Sequence, residues 1–274
     1  MLWKTALTSL LFVSCAARHP AEAIPIAAPK PESVQAAPPA SQATPPPPAK
    51  PETALQSPRA VQTSLAGISI SGVSFDSRSH RLAVADQEAG PGSKWPDASH
   101  AAKAYRGIAA INAGFFTPEG KPLGLVVAGG KKSGSLNRAS SLGAGLFSGG
   151  GSPTLQRREH PSQASEILQA GPFLAESGQA TAGLSPKSST ARSFIAWDGT
   201  AGWILARTGP CSLADLATAL AGSEIGGVKI RSALNLDGGR SSDLWISNSV
   251  PGGPLHERPI WNKPVRNFLI LLPR

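Results

Sequence analysis

Short apolar runs, separated by turns rich in glycine and serine, recur from residue 65 to residue 274. Runs of four to eight continuous or alternating apolar positions are typical of β-strands. The pattern predicts strands at residues 68–73, 82–84, 108–112, 123–127, 234–236, 243–246 and 265–272. Glycine and serine are so frequent in residues 129–152 that this segment is predicted to be mainly loop.

Two segments have features of helices instead. Residues 97–105 follow a proline and fit a short helix. A second helix is predicted between the capping residue Ser212 and Gly222, with three leucines on one face. Many short strands with two or three helices predict an α+β fold, in which a single domain is built on a mixed, largely antiparallel sheet.

The composition changes sharply before this domain. Residues 1–65 contain 12 of the 26 prolines and none of the 29 glycines. Proline at this density disfavours helices and sheet ladders and favours extended conformations. We therefore expect a Pro/Ala-rich linker over residues 16–64 and a folded domain over residues 65–274.

The first fifteen residues have the pattern of an export signal. Lys4 precedes an apolar stretch over residues 6–13, which is too short to span a bilayer. The stretch ends at Cys15 in a sequence similar to a bacterial lipobox, so Cys15 is the predicted lipidation site. The alternative is cleavage by ordinary signal peptidase. Either interpretation predicts export to the periplasm or cell envelope of a bacterium, with membrane contact only through the lipid.

The formal net charge of +9 favours anionic partners. The sequence has no nucleic-acid-binding motif, and one tyrosine with scattered phenylalanines gives no stacking surface for bases, so nucleic acid is not an expected partner. Besides Cys15 there is only Cys211, which excludes a disulfide framework. Cys211 is interpreted as a small core residue.

Two loops carry candidate chemistry. Asn112 and Asp237 each follow an apolar strand and are followed by glycines, at Gly114 and at Gly238 and Gly239. Side chains at strand ends are rigidly held, and glycines let backbone N–H groups converge on an anion. The alternative is that each loop is only a tight turn.

Several sequence blocks then resemble the phosphodiester glycosidase family. INAGFF, PLGLVV, QAGPFL, RSFIAWDG, LNLDGGRSSDLWI and RNFLILL occur in this order across residues 65–274. Two positions depart from the family pattern: Ala113 replaces the common Gly or Thr, and Arg240 replaces a frequent third glycine. The resemblance implies hydrolysis of a sugar-1-phosphodiester, or of a phosphate-bearing polysaccharide, at the anomeric carbon.

The resemblance also implies roles for individual residues. Asp237 is expected to be the nucleophile or the base for water, and Asn112 to bind sugar hydroxyls or the phosphate. The N–H groups of Gly238 and Gly239, with either Arg192 or Arg240, are expected to hold the phosphate charge. The predicted substrate-binding residues are Gly114, Gly171, Arg192, Gly238, Gly239, Arg240 and Ser241.

Three questions stay open at this level. A second catalytic carboxylate is not evident, since Glu119, Glu176, Asp198 and Asp243 are not distinguished from one another. No cofactor is expected, although a divalent cation bound by Asp237 is compatible with the sequence. The alternative to a hydrolase is a non-catalytic binder of anionic glycans that keeps the same cleft.

Overall fold

A computed structural model describes residues 57–160 and 163–274. The predicted export signal, Cys15 and the linker up to residue 56 lie outside the described residues. No helix in the described part is long and apolar enough to cross a membrane.

The described residues form an α+β domain of three main sheets, and every pairing between their strands is antiparallel. The first sheet has seven strands, in the spatial order β1 (Arg59–Leu65), β2 (Ile68–Asp76), β13 (Gly202–Thr208), β12 (Ser193–Trp197), β16 (Ser232–Asn235), β10 (Phe173–Glu176) and β11 (Gln179–Ala180).

The other two main sheets have five strands each. The second has the order β18 (Leu255–Glu257), β17 (Leu244–Ile246), β4 (Ala109–Asn112), β19 (Asn267–Pro273) and β3 (His80–Asp86). The third has the order β6 (Lys131–Ser133), β5 (Val126–Ala128), β9 (Ile167–Ala170), β7 (Gly145–Ser148) and β8 (Thr154–Arg157). A small hairpin adds β14 (Glu224–Ile225) and β15 (Val228–Lys229).

Two α-helices cover the outer faces of the sheets. In α1 (Ala98–Ala104), the side chain of Asp97 caps the first turn by accepting a hydrogen bond from the N–H of His100. In α2 (Leu213–Leu220), Ser212 accepts from the N–H of Asp215 and donates to its carboxylate, so Ser212 is the predicted capping residue.

The largest core lies where the three main sheets face one another. It contains Ile111 from β4, Phe147 from β7 and Ile195 from β12, all of them at most 1% exposed. A second core joins the seven-stranded sheet to α2, and a third joins the second sheet to α1. The site described below depends on this arrangement, because loops from all three sheets leave the central core at one place.

One boundary differs from the sequence-based expectation, because the strand β1 begins at Arg59, within the predicted linker. The segment 129–152 is mainly turn and loop, as expected, and contains the two short strands β6 and β7. The predicted α+β fold with a largely antiparallel sheet is confirmed, and the pairings among the described strands are antiparallel. Both β1 and β6 are polar edge strands with mostly exposed positions, and apolar periodicity is weak in such strands.

Candidate active site

The two loops singled out in the sequence meet in the structure. Asn112 ends β4 in the second sheet, and Asp237 follows β16 of the first sheet by two residues. The N–H of Asp237 donates to the carbonyl of Ala113 at 2.8 Å. The side-chain amide of Asn112 donates to the carbonyl of Asp237 at 2.6 Å. We call residues 112–114 together with residues 237–241 the junction.

Asn112 holds the junction together and does not face solvent. It is fully buried, and its Oδ1 accepts from the hydroxyl of Ser193 at 2.6 Å and from the N–H of Asp243 at 3.0 Å. Its amide is thus bonded to three separate chain segments. In the structure Asn112 therefore acts as a positioning residue, because its oxygen already accepts two hydrogen bonds inside the protein. Its contact with the substrate stays a prediction.

Gly114 is also structural. Its N–H donates to Oδ1 of Asn267 at 2.6 Å, and an added Cβ would lie 3.2 Å from the carbonyl oxygen of Gln169. The close approach of β9 and the loop after β4 therefore favours glycine at this position. In the structure the N–H of Gly114 is bonded to Asn267, and its contact with the substrate stays a prediction.

Gln169 fixes the neighbouring loop. Its Oε1 accepts from the N–H groups of Leu125 and Asn137, at 2.9 and 2.8 Å. Its Nε2 donates to the carbonyls of Asn137 and Gly143, both at 2.8 Å. Four hydrogen bonds from one buried amide hold the chain on both sides of β6.

Gly171 lies behind the junction rather than in it. Its carbonyl accepts from Nδ2 of Asn235 at 3.0 Å, and an added Cβ would lie 2.3 Å from the carbonyl oxygen of Ser141. The residue is buried. In the structure Gly171 therefore has a packing role, and its contact with the substrate stays a prediction.

Asp237 is the half-buried carboxylate of the junction. Its Oδ1 accepts from the N–H of Gly238 at 2.9 Å, and its side chain is hydrogen-bonded to Ser241. Burial raises the pKa of Asp237 to about 6, against the opposing effect of these two hydrogen bonds. No ion pair within residues 57–160 and 163–274 includes Asp237. A carboxylate with this pKa is mostly ionised at neutral pH but remains a competent proton acceptor.

The glycine N–H groups after Asp237 are already used. That of Gly238 donates to Asp237 itself, and that of Gly239 donates to the carbonyl of Ala191 at 2.8 Å. Gly239 has a φ of 62°, in the left-handed region that glycine accepts without strain. In the structure these two glycines therefore shape the turn that presents Asp237, and phosphate contacts through their N–H groups stay a prediction.

Arg192 lies beside this turn. An added Cβ on Gly238 would be 3.7 Å from Cδ of Arg192. The guanidinium donates only to main-chain carbonyls, from Nε to Cys211 at 3.2 Å and from the terminal nitrogen to Ser188 at 2.6 Å. Burial lowers the pKa of Arg192. A half-buried guanidinium that makes no ion pair with any described carboxylate is well suited to bind an anion.

The side chain of Arg240 is bonded to a different loop. It is exposed, and its Nε donates to the carbonyl of Trp261 at 3.0 Å. The structure thus separates the two arginines that the sequence treats as rivals. Arg192 lies along the turn of Asp237, whereas Arg240 joins that turn to the loop around Trp261.

Two buried amide atoms next to the junction have no hydrogen-bond partner among the described residues. They are Oδ1 of Asn235 and Nδ2 of Asn267. The other amide atom of Asn267 holds Gly114 in the junction, and that of Asn235 holds Gly171 behind it.

The other carboxylates are not at the junction surface. Asp243 is 1% exposed, and it bonds the first N–H of α1 and the side chain of His256. Glu176 is paired with Arg157, and Asp198 closes the turn before β13. Glu119 lies in an exposed turn. Within the described residues, no group of three or more His, Cys, Asp or Glu is placed to hold a metal ion.

Three residues that hold the junction or its neighbouring loop in place are missed by the sequence analysis. Ser193, Gln169 and Asn267 each bond a junction residue or its neighbouring loop, as described above. Each is a polar residue at or near the end of an apolar run, inside a block that resembles the family. That interruption is the signal that could have found them.

Comparison with known proteins supports the same assignment. The sequence profile of the phosphodiester glycosidase family matches residues 105–272, which is more than half of the chain. The chain therefore belongs to the phosphodiester glycosidase family. No curated protein matches the sequence.

Two solved structures resemble this fold. One is the catalytic domain of zebrafish N-acetylglucosamine-1-phosphodiester alpha-N-acetylglucosaminidase, auto-inhibited by its pro-peptide, with a TM-score of 0.53 and 15% identity over 79% of this chain and 82% of that one. The other is a hypothetical protein from Synechocystis, with a TM-score of 0.51 and 18% identity over 79% of this chain and 61% of that one. At these identities the likeness concerns the fold.

Proposed function

We propose that this protein is an exported hydrolase that cleaves a sugar-1-phosphodiester, or a phosphate-bearing polysaccharide, at the anomeric carbon. The observation that carries the proposal is the half-buried carboxylate of Asp237. The pKa of this carboxylate is about 6, and beside its turn lies Arg192, whose guanidinium makes no ion pair with any described carboxylate. Membership of the phosphodiester glycosidase family supports the reaction class.

In the proposed reaction, the bond between the anomeric carbon and the phosphate oxygen breaks, and water supplies the new hydroxyl. The phosphate monoester leaves with the bonding electrons. Phosphate is a good leaving group, so stabilising the positive charge that develops on the sugar is the larger need. Asp237 meets it either as nucleophile or as the base that takes a proton from water.

Arg192 is proposed to hold the phosphate. Its charge opposes that of the phosphodiester, and its Nε and one terminal nitrogen are fixed by carbonyls, so little side-chain freedom is lost on binding. As the leaving phosphate gains negative charge, its attraction to the guanidinium grows, and this lowers the barrier.

The test is a panel of sugar-1-phosphodiesters offered to the wild-type protein, to Asp237→Asn and to Asp198→Asn. Asp198 is a matched control, since its carboxylate also caps a turn but lies away from the junction. We expect release of the phosphate monoester with wild type and Asp198→Asn, and almost none with Asp237→Asn. Equal turnover by all three proteins would contradict the assignment.

A non-catalytic binder of anionic glycans is the second candidate. The observation that favours it is the exposed guanidinium of Arg240, at a position where the family often has glycine. Saturable glycan binding without turnover of any phosphodiester would favour the binder over the hydrolase.

Export and lipid anchoring are proposed from the sequence of residues 1–15. Changing Cys15→Ala should move the protein from the membrane fraction to the soluble fraction. An unchanged distribution would rule out the lipid anchor and leave ordinary signal cleavage as the proposal.

A further inference from the structure

The turn Pro259–Asn262 presents two large apolar side chains to solvent. Ile260 is 95% exposed and Trp261 is 77% exposed, whereas other large apolar residues of the described part are covered to a greater degree. The N–H of Asn262 bonds the carbonyl of Pro259 at 3.1 Å, so Ile260 and Trp261 occupy the two central positions of a closed turn. Exposed apolar pairs at a fixed position mark interaction sites more often than single exposed residues do.

This turn is fastened to the loop of Asp237. The N–H of Lys263 donates to the carbonyl of Arg240 at 2.9 Å, and Nε of Arg240 donates back to the carbonyl of Trp261 at 3.0 Å. Arg240 lies three residues after Asp237, in the short 3-10 helix Gly239–Ser241. The apolar turn is therefore a lateral extension of the junction.

Beside the turn lies a shallow recess of about 700 Å³ that is wide open to solvent. It is lined by Arg240, Pro259, Ile260 and Trp261. Its wall is apolar except for the guanidinium, which makes no ion pair with any described carboxylate. This combination suits an anionic group attached to an apolar group. A sugar would instead need several polar side chains around the aromatic ring to satisfy its hydroxyls.

We propose that this recess is the subsite for the leaving alcohol, and that the substrate is a glycosyl phosphodiester whose second alcohol is an apolar chain. The inference rests on the proposed function for its place in the reaction. Ile260 and Trp261 contact the chain, and Arg240 adds charge on the phosphate side. The recess gives Arg240 a purpose at the position where it departs from the family pattern.

The test measures binding and turnover on the full chain. Calorimetry with dimethyl phosphate, methyl butyl phosphate and methyl octyl phosphate measures binding without any hydrolysis, because these compounds have no sugar. Each compound is used below its aggregation concentration. A fully buried methylene strengthens binding by up to about fourfold. In an open recess we expect about tenfold from methyl to butyl, with a further gain to octyl. The gain should be largely lost in Trp261→Ala and reduced in Ile260→Ser.

The matched control is Trp197→Phe, which replaces a partly buried tryptophan stacked on Trp203 at the end of β12 away from Ser193. It should keep the chain-length dependence of the wild type. A flat series in the wild type, or an equal rise in Trp261→Ala, would overturn the subsite. Sedimentation with anionic vesicles that depends on Trp261, combined with a flat series, would assign the turn to membrane contact instead.

The same alcohols in glycosyl phosphodiesters separate this inference from the proposed function. Turnover without chain-length dependence would leave the hydrolase standing and reject the subsite. Chain-length-dependent binding that requires Trp261, without any turnover, would show a binding site for apolar chains, and it would reject both the hydrolase and the leaving-alcohol role of the recess.

Discussion

The side chain of Asn112 donates a 2.6 Å hydrogen bond to the main-chain carbonyl of Asp237, which lies 125 residues further along the chain, in the loop after a strand of a different sheet. The bond fixes the backbone of the catalytic candidate and does not involve its carboxylate. Ser193 and the N–H of Asp243 in turn fix the amide of Asn112. The backbone that carries the carboxylate is therefore positioned by buried groups.

Replacing Asp237 by Asn tests the catalytic role. The amide keeps the shape and can still accept from Gly238, but it removes the negative charge that the transition state needs. We expect kcat to fall by about a thousandfold or more, with KM nearly unchanged. Steady-state kinetics on a sugar-1-phosphodiester provides the measurement. A loss of only a few-fold would mean that Asp237 merely caps its turn.

The pH dependence of turnover follows from the raised pKa of Asp237. The reaction needs the ionised carboxylate, so kcat/KM should fall about tenfold per pH unit below pH 6 and level off above it. Glu166→Gln is the matched control, because burial also raises the pKa of Glu166 but that residue binds the N–H groups of Val84 and Gly129 instead. It should leave the profile unchanged. Activity that rises on acidification would make Asp237 a general acid.

The same pKa predicts an effect on stability. A carboxyl whose pKa is higher in the folded than in the unfolded state stabilises the fold at low pH and loses that contribution as pH rises through 6. At pH 8, Asp237→Asn should therefore raise the free energy of unfolding by about 1–3 kcal/mol. The gain should disappear below about pH 4. Urea unfolding at both pH values measures it, and a destabilised variant at pH 8 would contradict the burial argument.

Asn112→Ala tests the positioning role. It leaves the hydroxyl of Ser193 and the N–H of Asp243 without their buried acceptor, so we expect a loss of about 2–4 kcal/mol in the free energy of unfolding. Asn248→Ala, at an exposed asparagine, should change it by less than about 0.5 kcal/mol. A stable Asn112→Ala variant whose only defect is a raised KM would instead support the prediction that Asn112 contacts the substrate directly.

Substrates with and without charge test whether Arg192 binds the phosphate. Arg192→Ala should reduce kcat/KM for phosphodiesters by about a hundredfold. It should affect neutral aryl glycosides much less. Arg231→Ala, at an exposed arginine outside the junction, is the control. Equal losses on charged and neutral substrates would show that Arg192 supports the structure of the turn rather than the phosphate.

The sequence predicts the repeating strands well because apolar alternation reports burial directly. Both helices follow from capping residues, Asp97 and Ser212, whose effect is local. Strands β1 and β6 are missed because an edge strand buries little and needs no apolar pattern. The hydrogen bonds that Asn112 and Gly114 make inside the protein are not evident from the sequence, for a different reason. Whether a polar group is free or already bonded depends on segments far away in the chain.

The site is predictable as a place but not as a set of contacts. The order of the motifs in the sequence singles out Asn112 and Asp237 as candidates, and the structure joins the two by a hydrogen bond. The acceptors of Gly238 and Gly239, by contrast, are Asp237 and Ala191, and nothing in the local sequence indicates that these N–H groups are occupied.

The hydrogen bonds at the junction join residues that are 81, 125 and 153 positions apart. Contacts of such long range form late, because each closes a large loop before it is repaid by packing. The junction therefore forms only when β4, β12, β19 and the loop after β16 are all in place. A fragment that lacks any one of these segments cannot assemble the junction, and neither can a chain that is still unfolded.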